Sequence, residues 1–250
     1  MTLRKAVIAA AVIGLICPIA RADDESKKIV QQAIAAHGGA EKLAKLKDKS
    51  VHQIGKITIE QLNTDGKFEA YAGGKKFKQI IEFSLNGQDI KQETAFDGKI
   101  LWVAVNGKVA ATIDKEEYLK PIKEALHAET VAGLVMLGEK GYETALIGDG
   151  MVNDKPAVGI RVSAKDHKDV TIWFDKKTHL LVKIQNRGVD PGSMQEVEEE
   201  RVITEYMDVD GQKRPKRAIV HKDGKKVAEV EFSEVKYLDK LDDSIFIKPE

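Results

Sequence analysis

The chain has 250 residues, with 40 Lys and Arg against 40 Asp and Glu, so its formal net charge is zero. Because neither sign of charge is in excess, the composition argues against a nucleic-acid-binding protein, and we predict no nucleic-acid partner. With 42% hydrophobic and 32% charged residues, the composition excludes disordered and collagen-like chains and is typical of a globular protein.

The N-terminus has the pattern of a secretory signal peptide. Arg4 and Lys5 precede an apolar run over residues 6–16, and small residues stand at Ala20 and Ala22 before an acidic segment. The apolar run is shorter than the ~20 residues that a helix needs to cross a bilayer, so a membrane anchor is the weaker alternative. The pattern predicts cleavage after Ala22.

Residues 1–22 are therefore predicted to be a signal peptide, and residues 23–250 a single exported domain in the periplasm. Cys17 is the only cysteine of the chain and would leave with the signal peptide. The mature chain, with a net charge of about −3, would have no disulfide, thiolate nucleophile or thiolate metal site. Its core alone must then stabilise it.

Two helical segments are predicted before the first strand. Residues 26–36 place apolar side chains on one side of a helix, and the glycines after His37 end it. At this C-terminus the helix dipole favours a charged imidazole on His37. Residues 40–46 form a second short helix.

From Ser50 onward the hydrophobic pattern alternates with a period of two, which predicts strands with one apolar and one charged face. Seven Asp-Gly or Asn-Gly pairs can adopt the positive φ angles of two-residue hairpin turns, and they predict a long antiparallel meander. The pairs are Asp65-Gly66, Asn86-Gly87, Asp97-Gly98, Asn106-Gly107, Asp149-Gly150, Asp210-Gly211 and Asp223-Gly224.

A helical insert interrupts the meander. Asp114 can cap a helix over residues 115–119, and Pro121 can open a second helix that extends to Leu137. The end of this second helix is apolar nearly all round, so it needs cover on more than one side. We predict that a sheet of about ten or more strands curls and that the helices close its apolar concave face.

The search for catalytic and metal-binding residues gives no candidate. The six histidines lack the spacing of helical or finger-type metal sites, and no Gly-x-Ser-x-Gly elbow occurs. We therefore predict no metal, no cofactor and no enzymatic activity. A hydrolase that uses dispersed carboxylates stays open as a minor alternative, for which the sequence singles out no pair.

Three segments in a fixed order resemble the LolA/LolB-like superfamily of periplasmic lipoprotein carriers, the group often called outer-membrane lipoprotein-sorting proteins. The first segment is residues 36–43 (AHGGAEKL), the second is residues 96–102 (FDGKILW), and the third is residues 232–246, which include FSEV and LDDSIF. Together with weaker strand features, they extend over almost the whole predicted mature chain.

This resemblance implies a mainly β fold with some α structure: a single curved antiparallel sheet forming an incomplete β-barrel of about eleven strands, covered by helices. It also implies a cavity that accepts acyl chains. A strongly curved sheet of this size can leave an interior wider than two helices fill. We expect this apolar cavity to be lined by Ile57, Ile59, Phe77, Ile81, Phe83, Trp102, Leu134, Val135, Ile172 and Phe174.

The predicted function is that of a non-enzymatic periplasmic carrier for a lipid, an acyl chain or a lipoprotein, with transient contacts to envelope membrane proteins. The apolar helix over residues 121–137 is the predicted lid. The alternative is an envelope sensory or scaffolding module, which has the same fold with a filled core and carries no lipid.

Overall fold

The computed structural model describes residues 19–189 and 195–249, which contain thirteen strands. The strands are β1 Ser50–Ile59, β2 Thr64–Gly73, β3 Lys76–Leu85, β4 Gln88–Phe96, β5 Leu101–Val105, β6 Lys108–Ile113, β7 Tyr142–Val152, β8 Lys155–Ala164, β9 Val170–Asp175, β10 Leu181–Val189, β11 Glu196–Val209, β12 Gln212–Lys222 and β13 Lys225–Leu238. They form one open antiparallel sheet in the order β6-β5-β4-β3-β2-β1-β13-β12-β11-β10-β9-β8-β7. The predicted fold class is confirmed, with thirteen strands where about eleven were expected.

The helices of the described residues are α1 Ile19–Ala36, α2 Ala40–Ala44 and α3 Glu116–Ala132. Short 3₁₀ turns occupy Glu60–Leu62, Val135–Gly138 and Asp243–Phe246. The signal-peptide prediction concerns residues that lie mostly outside the described part of the chain. Its cleavage point after Ala22 falls within α1 of the full-length chain.

The helical insert is one helix where two were predicted. Pro121 lies inside α3, in its second turn, where the missing N–H removes a single backbone hydrogen bond. Leu119 and Val131 are buried on either side of it, so packing at both ends holds the helix continuous. The helix ends at Ala132 instead of Leu137, because Leu134 has a left-handed backbone with φ of 63°.

Five of the seven predicted Asp-Gly and Asn-Gly pairs connect consecutive strands, as at Asn86-Gly87 and Asn106-Gly107, where both residues have positive φ. The other two pairs lie inside strands and were wrongly predicted as turns. A β-carbon on Gly66 would come within 2.7 Å of the Glu82 backbone oxygen, and one on Gly150 within 2.6 Å of the Trp173 ring. These two glycines allow close packing between strands.

The sheet is curled so that its two edges approach the same helix. The edge strands β6 and β7 are consecutive in sequence and are joined by α3. Leu119 near the start of α3 packs with Phe96 and Leu101, and Val131 near its end packs with residues of β8, β9 and β10. A 17-residue helix is about 25 Å long, whereas thirteen flat strands would extend about 58 Å. Only a curled sheet lets α3 reach both ends.

The largest core lies at the β7–β11 end of the sheet. It contains fourteen buried residues: Val30, Ala33, Ala128, Val131, Leu134, Leu137, Ile160, Val162, Val170, Ile172, Phe174, Leu181, Ile184 and Ile203. Both α1 and α3 contribute to it, so helices cover this part of the concave face.

Candidate functional site

The cross-strand register assigns each strand residue to one of the two faces of the sheet. On one side of β1, Ile57 pairs with Gly66 of β2, and Gly66 pairs with Phe83 of β3. On the other side of β1, Ile57 pairs with Val230 of β13. The same face continues through Ala218 and Ile203 toward the core under the helices. This is the concave face, and the alternate residues form the charged convex face.

The middle of the concave face carries an apolar stripe built by strands alone. It consists of Ile57, Phe68 and Val230, which are buried, and of the half-buried Ile59, Ala70, Ile81, Ala228 and Phe232. These residues come from β1, β2, β3 and β13, and no helix residue of the described chain belongs to the cluster. We call this set the central stripe.

Most of the expected cavity residues lie on the concave face, but they do not converge on one pocket. Ile57, Ile59 and Ile81 belong to the central stripe. Phe77 packs with Phe96 in a second cluster beneath the first half of α3. The structure places the remaining ones elsewhere: Ile172, Phe174 and Leu134 in the helix-covered core, Val135 half-buried at the start of a 3₁₀ turn, and Phe83 half-buried beside the stripe.

Trp102 was wrongly expected to line the cavity, because its side chain lies on the convex face. It is opposite Ala95, which is opposite Lys78, while the adjacent Leu101 faces the concave side. The Trp102 indole N–H donates to the Phe246 carbonyl oxygen at 2.9 Å, and the Lys78 ammonium lies 5.4 Å from its ring. The C-terminal segment therefore covers Trp102 and removes it from the interior.

Directly beneath α3 lies a cavity of about 160 Å³. Its wall includes Ala128 and Ile184, but also the polar side chains of Asn186, Glu199 and Arg201. Pockets that enclose small-molecule ligands measure about 300–1,000 Å³, so this partly open space is too small for an acyl chain. It is also less apolar than the sequence predicted.

An ion pair joins α3 to the sheet at this cavity. Glu129 of α3 accepts a hydrogen bond from the Arg201 guanidinium at 2.5 Å. Burial lowers the pKa of Arg201, but the Glu129 carboxylate outweighs it, and the pKa of Arg201 is raised overall. The pair therefore ties the second half of α3 to β11. Sequence reasoning missed it, since the two residues lie 72 positions apart.

His37 follows α1 as predicted, but the imidazole is not exposed to solvent at the helix end. Its side chain is buried, with Nδ1 at 2.8 Å from the Ala33 carbonyl oxygen and Nε2 at 3.4 Å from the Tyr206 hydroxyl. Burial lowers the pKa of His37, so the neutral ring is favoured over the imidazolium that the helix dipole suggested. Tyr206 donates in turn to the Leu181 carbonyl oxygen.

A groove of about 640 Å³ includes convex-face charges and lies outside the helix-covered core. Some of its charged side chains pair with one another. Arg217, for example, contacts Glu231 at 2.9 Å and Glu229 at 3.7 Å. This alternation of paired charges is typical of a solvated sheet face.

Within residues 19–189 and 195–249, we find no group of three His, Cys, Asp or Glu side chains arranged to hold a metal ion. The helices of the same residues include none with the length and apolar character of a membrane span.

Solved structures resemble this chain across nearly its full length. The LolA superfamily protein NE2245 from Nitrosomonas europaea is 14% identical with a TM-score of 0.50, and the match covers 89% of this chain and 97% of that one. At this identity the likeness concerns the fold alone.

Two further matches are more distant. A putative outer membrane lipoprotein-sorting protein domain from Vibrio parahaemolyticus is 12% identical, with a TM-score of 0.46, and 90% of this chain and 97% of that chain are covered. The Pseudomonas aeruginosa MucA/MucB complex structure is 10% identical, with a TM-score of 0.20, and 84% of this chain and 99% of that chain are covered. A comparison with curated protein sequences finds no match.

The sequence profile of the MucB/RseB N-terminal domain matches residues 70–204. This region is more than half of the chain. It runs from β2 through β11 and includes the whole of α3 and most of the helix-covered core. The structure of these residues is the curled open sheet with α3 across its concave face, and the fold agrees with the resemblance to LolA-like proteins. The chain therefore belongs to the MucB/RseB N-terminal domain family.

Proposed function

We propose that this protein is a non-enzymatic binding protein of the cell envelope, which holds an acyl chain of a lipid or lipoprotein against the central stripe. Its location follows from the predicted signal peptide, which would direct the chain to the periplasm. Helix α3 is the proposed lid, because it crosses the open side of the curled sheet between the two edges.

The observation that carries this proposal is the central stripe. Phe68, Ile81 and Phe232 form an apolar surface on the concave side, yet no described helix packs against their cluster. Contiguous apolar surface that the fold itself leaves without a helical cover is a common mark of a binding site. The stripe is continuous along four neighbouring strands, which suits an extended ligand.

The energetics favour an acyl ligand without any specific polar contact. Each methylene group that moves from water to an apolar surface contributes about 0.8 kcal/mol. The cavity of about 160 Å³ beneath α3 cannot hold such a chain as it stands. The ligand would therefore lie along the stripe, or α3 would have to move away from β10 and β11 to enlarge the space.

A sensory or scaffolding module is the second candidate, and a specific observation favours it. The space beside the fourteen-residue core under α1 and α3 measures only about 160 Å³, which is too small for an acyl chain. One of the matching structures is a complex of MucA with MucB, so a protein of this family assembles with another protein there. In this candidate function the chain would bind a protein partner and no lipid.

Two neighbouring residues of β3 allow a matched test of the carrier proposal. Ile81 lies on the central stripe, whereas Ile80 is half-buried on the opposite face. We expect Ile81→Asn to abolish uptake of a fluorescent fatty acid and to remove co-purified lipid from native mass spectra, because it places an amide in the stripe. Ile80→Asn should bind as the unmodified protein does.

Protein for this test is purified without detergent, and circular dichroism establishes that both variants are folded. Failure of the unmodified protein to bind any fatty acid would refute the carrier proposal and leave the scaffolding module. Equal binding by both variants would show that lipid is held elsewhere than on the stripe.

A further inference from the structure

A pair of stacked histidines joins α3 to the connection between β8 and β9. The rings of His127, on α3, and His167, in the connection, are nearly parallel, with centroids 4.0 Å apart. His127 is buried, and its other neighbour is the Tyr142 ring of β7, whose centroid lies 5.9 Å away. The imidazole of His127 thus contacts two separate parts of the sheet.

A buried carboxylate completes the cluster. Glu124 lies one turn before His127 on α3, accepts a hydrogen bond from the Lys168 backbone N–H at 2.8 Å and lies 3.4 Å from His167 Nδ1. Glu124 is buried, so both contacts are largely shielded from water. Glu124 therefore connects α3 to two successive residues of the β8–β9 connection, His167 and Lys168.

No described residue is placed to accept a hydrogen bond from the Nε2 N–H that a protonated His127 ring would carry. Its Nε2 atom is buried without a hydrogen-bond partner among the described residues. An imidazolium carries an N–H on both ring nitrogens, so protonation would create a buried donor with no acceptor. Burial lowers the pKa of His127, and the neighbouring His167 lowers it further, while Glu124 opposes this effect.

Several other charged groups around the stack are engaged in ion pairs. In the β8–β9 connection, the Lys168 ammonium contacts Glu196, and Asp169 lies 3.6 Å from Arg161. Burial raises the pKa of Tyr142, and the Glu139 carboxylate, which precedes β7, raises it further. Lys165 and Asp166 complete the connection, and Glu129 is held by Arg201 one turn further along α3.

We propose that the stack of His127 on His167 is an acid-sensitive clamp, which releases the second half of α3 from the β8–β9 connection as the pH falls. When α3 is detached, the His127 ring is in water and takes up a proton readily; when α3 is docked, the proton is disfavoured. Protons therefore bind the detached state preferentially and shift the equilibrium toward it.

The direction of the pH dependence follows from the lowered pKa. In the detached state His127 titrates near its ordinary value of about 6.5. Docking is at full strength above that pH and weakens as the pH falls from about 6.5 through the lower pKa of the docked ring. The proposal goes beyond the proposed binding function, since it concerns how α3 is held whatever the ligand is.

Hydrogen exchange of the α3 amides tests the clamp directly. The full chain is measured by mass spectrometry at about pH 7.5 and about pH 5.5, with rates corrected for the intrinsic effect of pH on exchange. We expect the protection of residues 116–132 to fall by up to about tenfold at the lower pH, which lies about one pH unit below the ordinary histidine pKa. His127→Phe keeps a stacked ring without a titrating group and should show the same protection at both pH values.

A second variant and a control distinguish loss of the histidine stack from a general folding defect. His167→Asn changes a partly exposed residue outside the helix and should flatten the pH profile of α3. His52→Asn changes a histidine of β1 that pairs with Glu69, and it should retain the profile of the unmodified protein. An equal loss of α3 protection in the unmodified protein and in His127→Phe would overturn the proposal. Because the measurement contains no lipid, its outcome is independent of fatty-acid binding.

Discussion

Single residues decide how tightly neighbouring strands of this sheet can pack. The Trp173 ring lies against Gly150 of β7 and Gly159 of β8, where any β-carbon would come within about 3 Å of its atoms. The indole N–H donates to the Gln185 side chain at 2.6 Å, and the Lys183 ammonium lies 5.3 Å from the ring. The absence of side chains at the two glycines thus lets the Trp173 ring pack directly against β7 and β8 on the convex face.

Gly150→Ala should therefore destabilise the protein. The new methyl group would meet the Trp173 ring at 2.6 Å, and the ring is fixed by its hydrogen bond. Overpacking of this kind costs about 1–3 kcal/mol in the free energy of unfolding, which urea denaturation would measure. Gly138→Ala is the matched control, because its β-carbon would meet no atom within 4 Å. An unchanged unfolding midpoint for Gly150→Ala would contradict the close packing.

Among the elements, α3 connects the two edges of the sheet and is held by different forces at its two ends. Leu119 and its neighbours bind the first half by apolar contact with β4, β5 and β6. The second half is held by Val131 in the helix-covered core, by the ion pair of Glu129 with Arg201, and by the histidine stack. Both of these polar attachments lie in the second half of α3.

Glu129→Gln should loosen the second half of α3. The substitution leaves the Arg201 guanidinium partly buried beside a neutral amide, and we expect a cost of about 0.5–1 kcal/mol, because the pair is only partly shielded from water. A double-mutant cycle with Arg201→Gln measures the coupling. Glu116→Gln serves as the control, since its partner Lys123 lies on the exposed side of the same helix. Equal effects of the two glutamate variants would show that the ion pair to β11 adds nothing.

Across the whole molecule, the two halves of the sheet are stabilised to different extents. The β7–β11 half packs fourteen buried residues between strands and two helices, whereas the central stripe has three buried residues and no helix of the described chain against it. Helix α3 spans the open side of the sheet and packs near both of its edges. We infer that the half without helical cover opens more easily.

Native-state hydrogen exchange should show this asymmetry. We expect amides of β8 and β9 to exchange most slowly and those of β2 and β3 to exchange faster by at least about tenfold, because local opening of the latter exposes less buried apolar surface. The measurement is made at neutral pH on the ligand-free chain. Slower exchange in β2 and β3 than in β8 and β9 would contradict the proposed distribution of stability. If fatty acid binds at the central stripe, adding it should selectively slow the exchange of the amides of β2 and β3.

Features that depend on neighbouring residues could be predicted from the amino-acid sequence. Alternation of apolar and charged side chains defines the two faces of each strand, and five Asn-Gly or Asp-Gly pairs identify the turns between strands, since turn conformation is a local property. The mainly β class and the positions of α1 and α2 follow in the same way. A resemblance in three short segments also predicted the curled fold.

Contacts between distant residues depend instead on the folded chain as a whole. Whether Gly66 and Gly150 form turns or accept a neighbouring strand depends on residues far away in sequence, and so does the side of the sheet on which Trp102 lies. The ion pair of Glu129 with Arg201 and the stack of His127 on His167 join residues 72 and 40 positions apart, which no local pattern encodes. Alternation along a strand determines which side chains share a face of the sheet. What that face contacts depends on the curvature of the sheet and on the path of α3, and both result from packing over the whole chain.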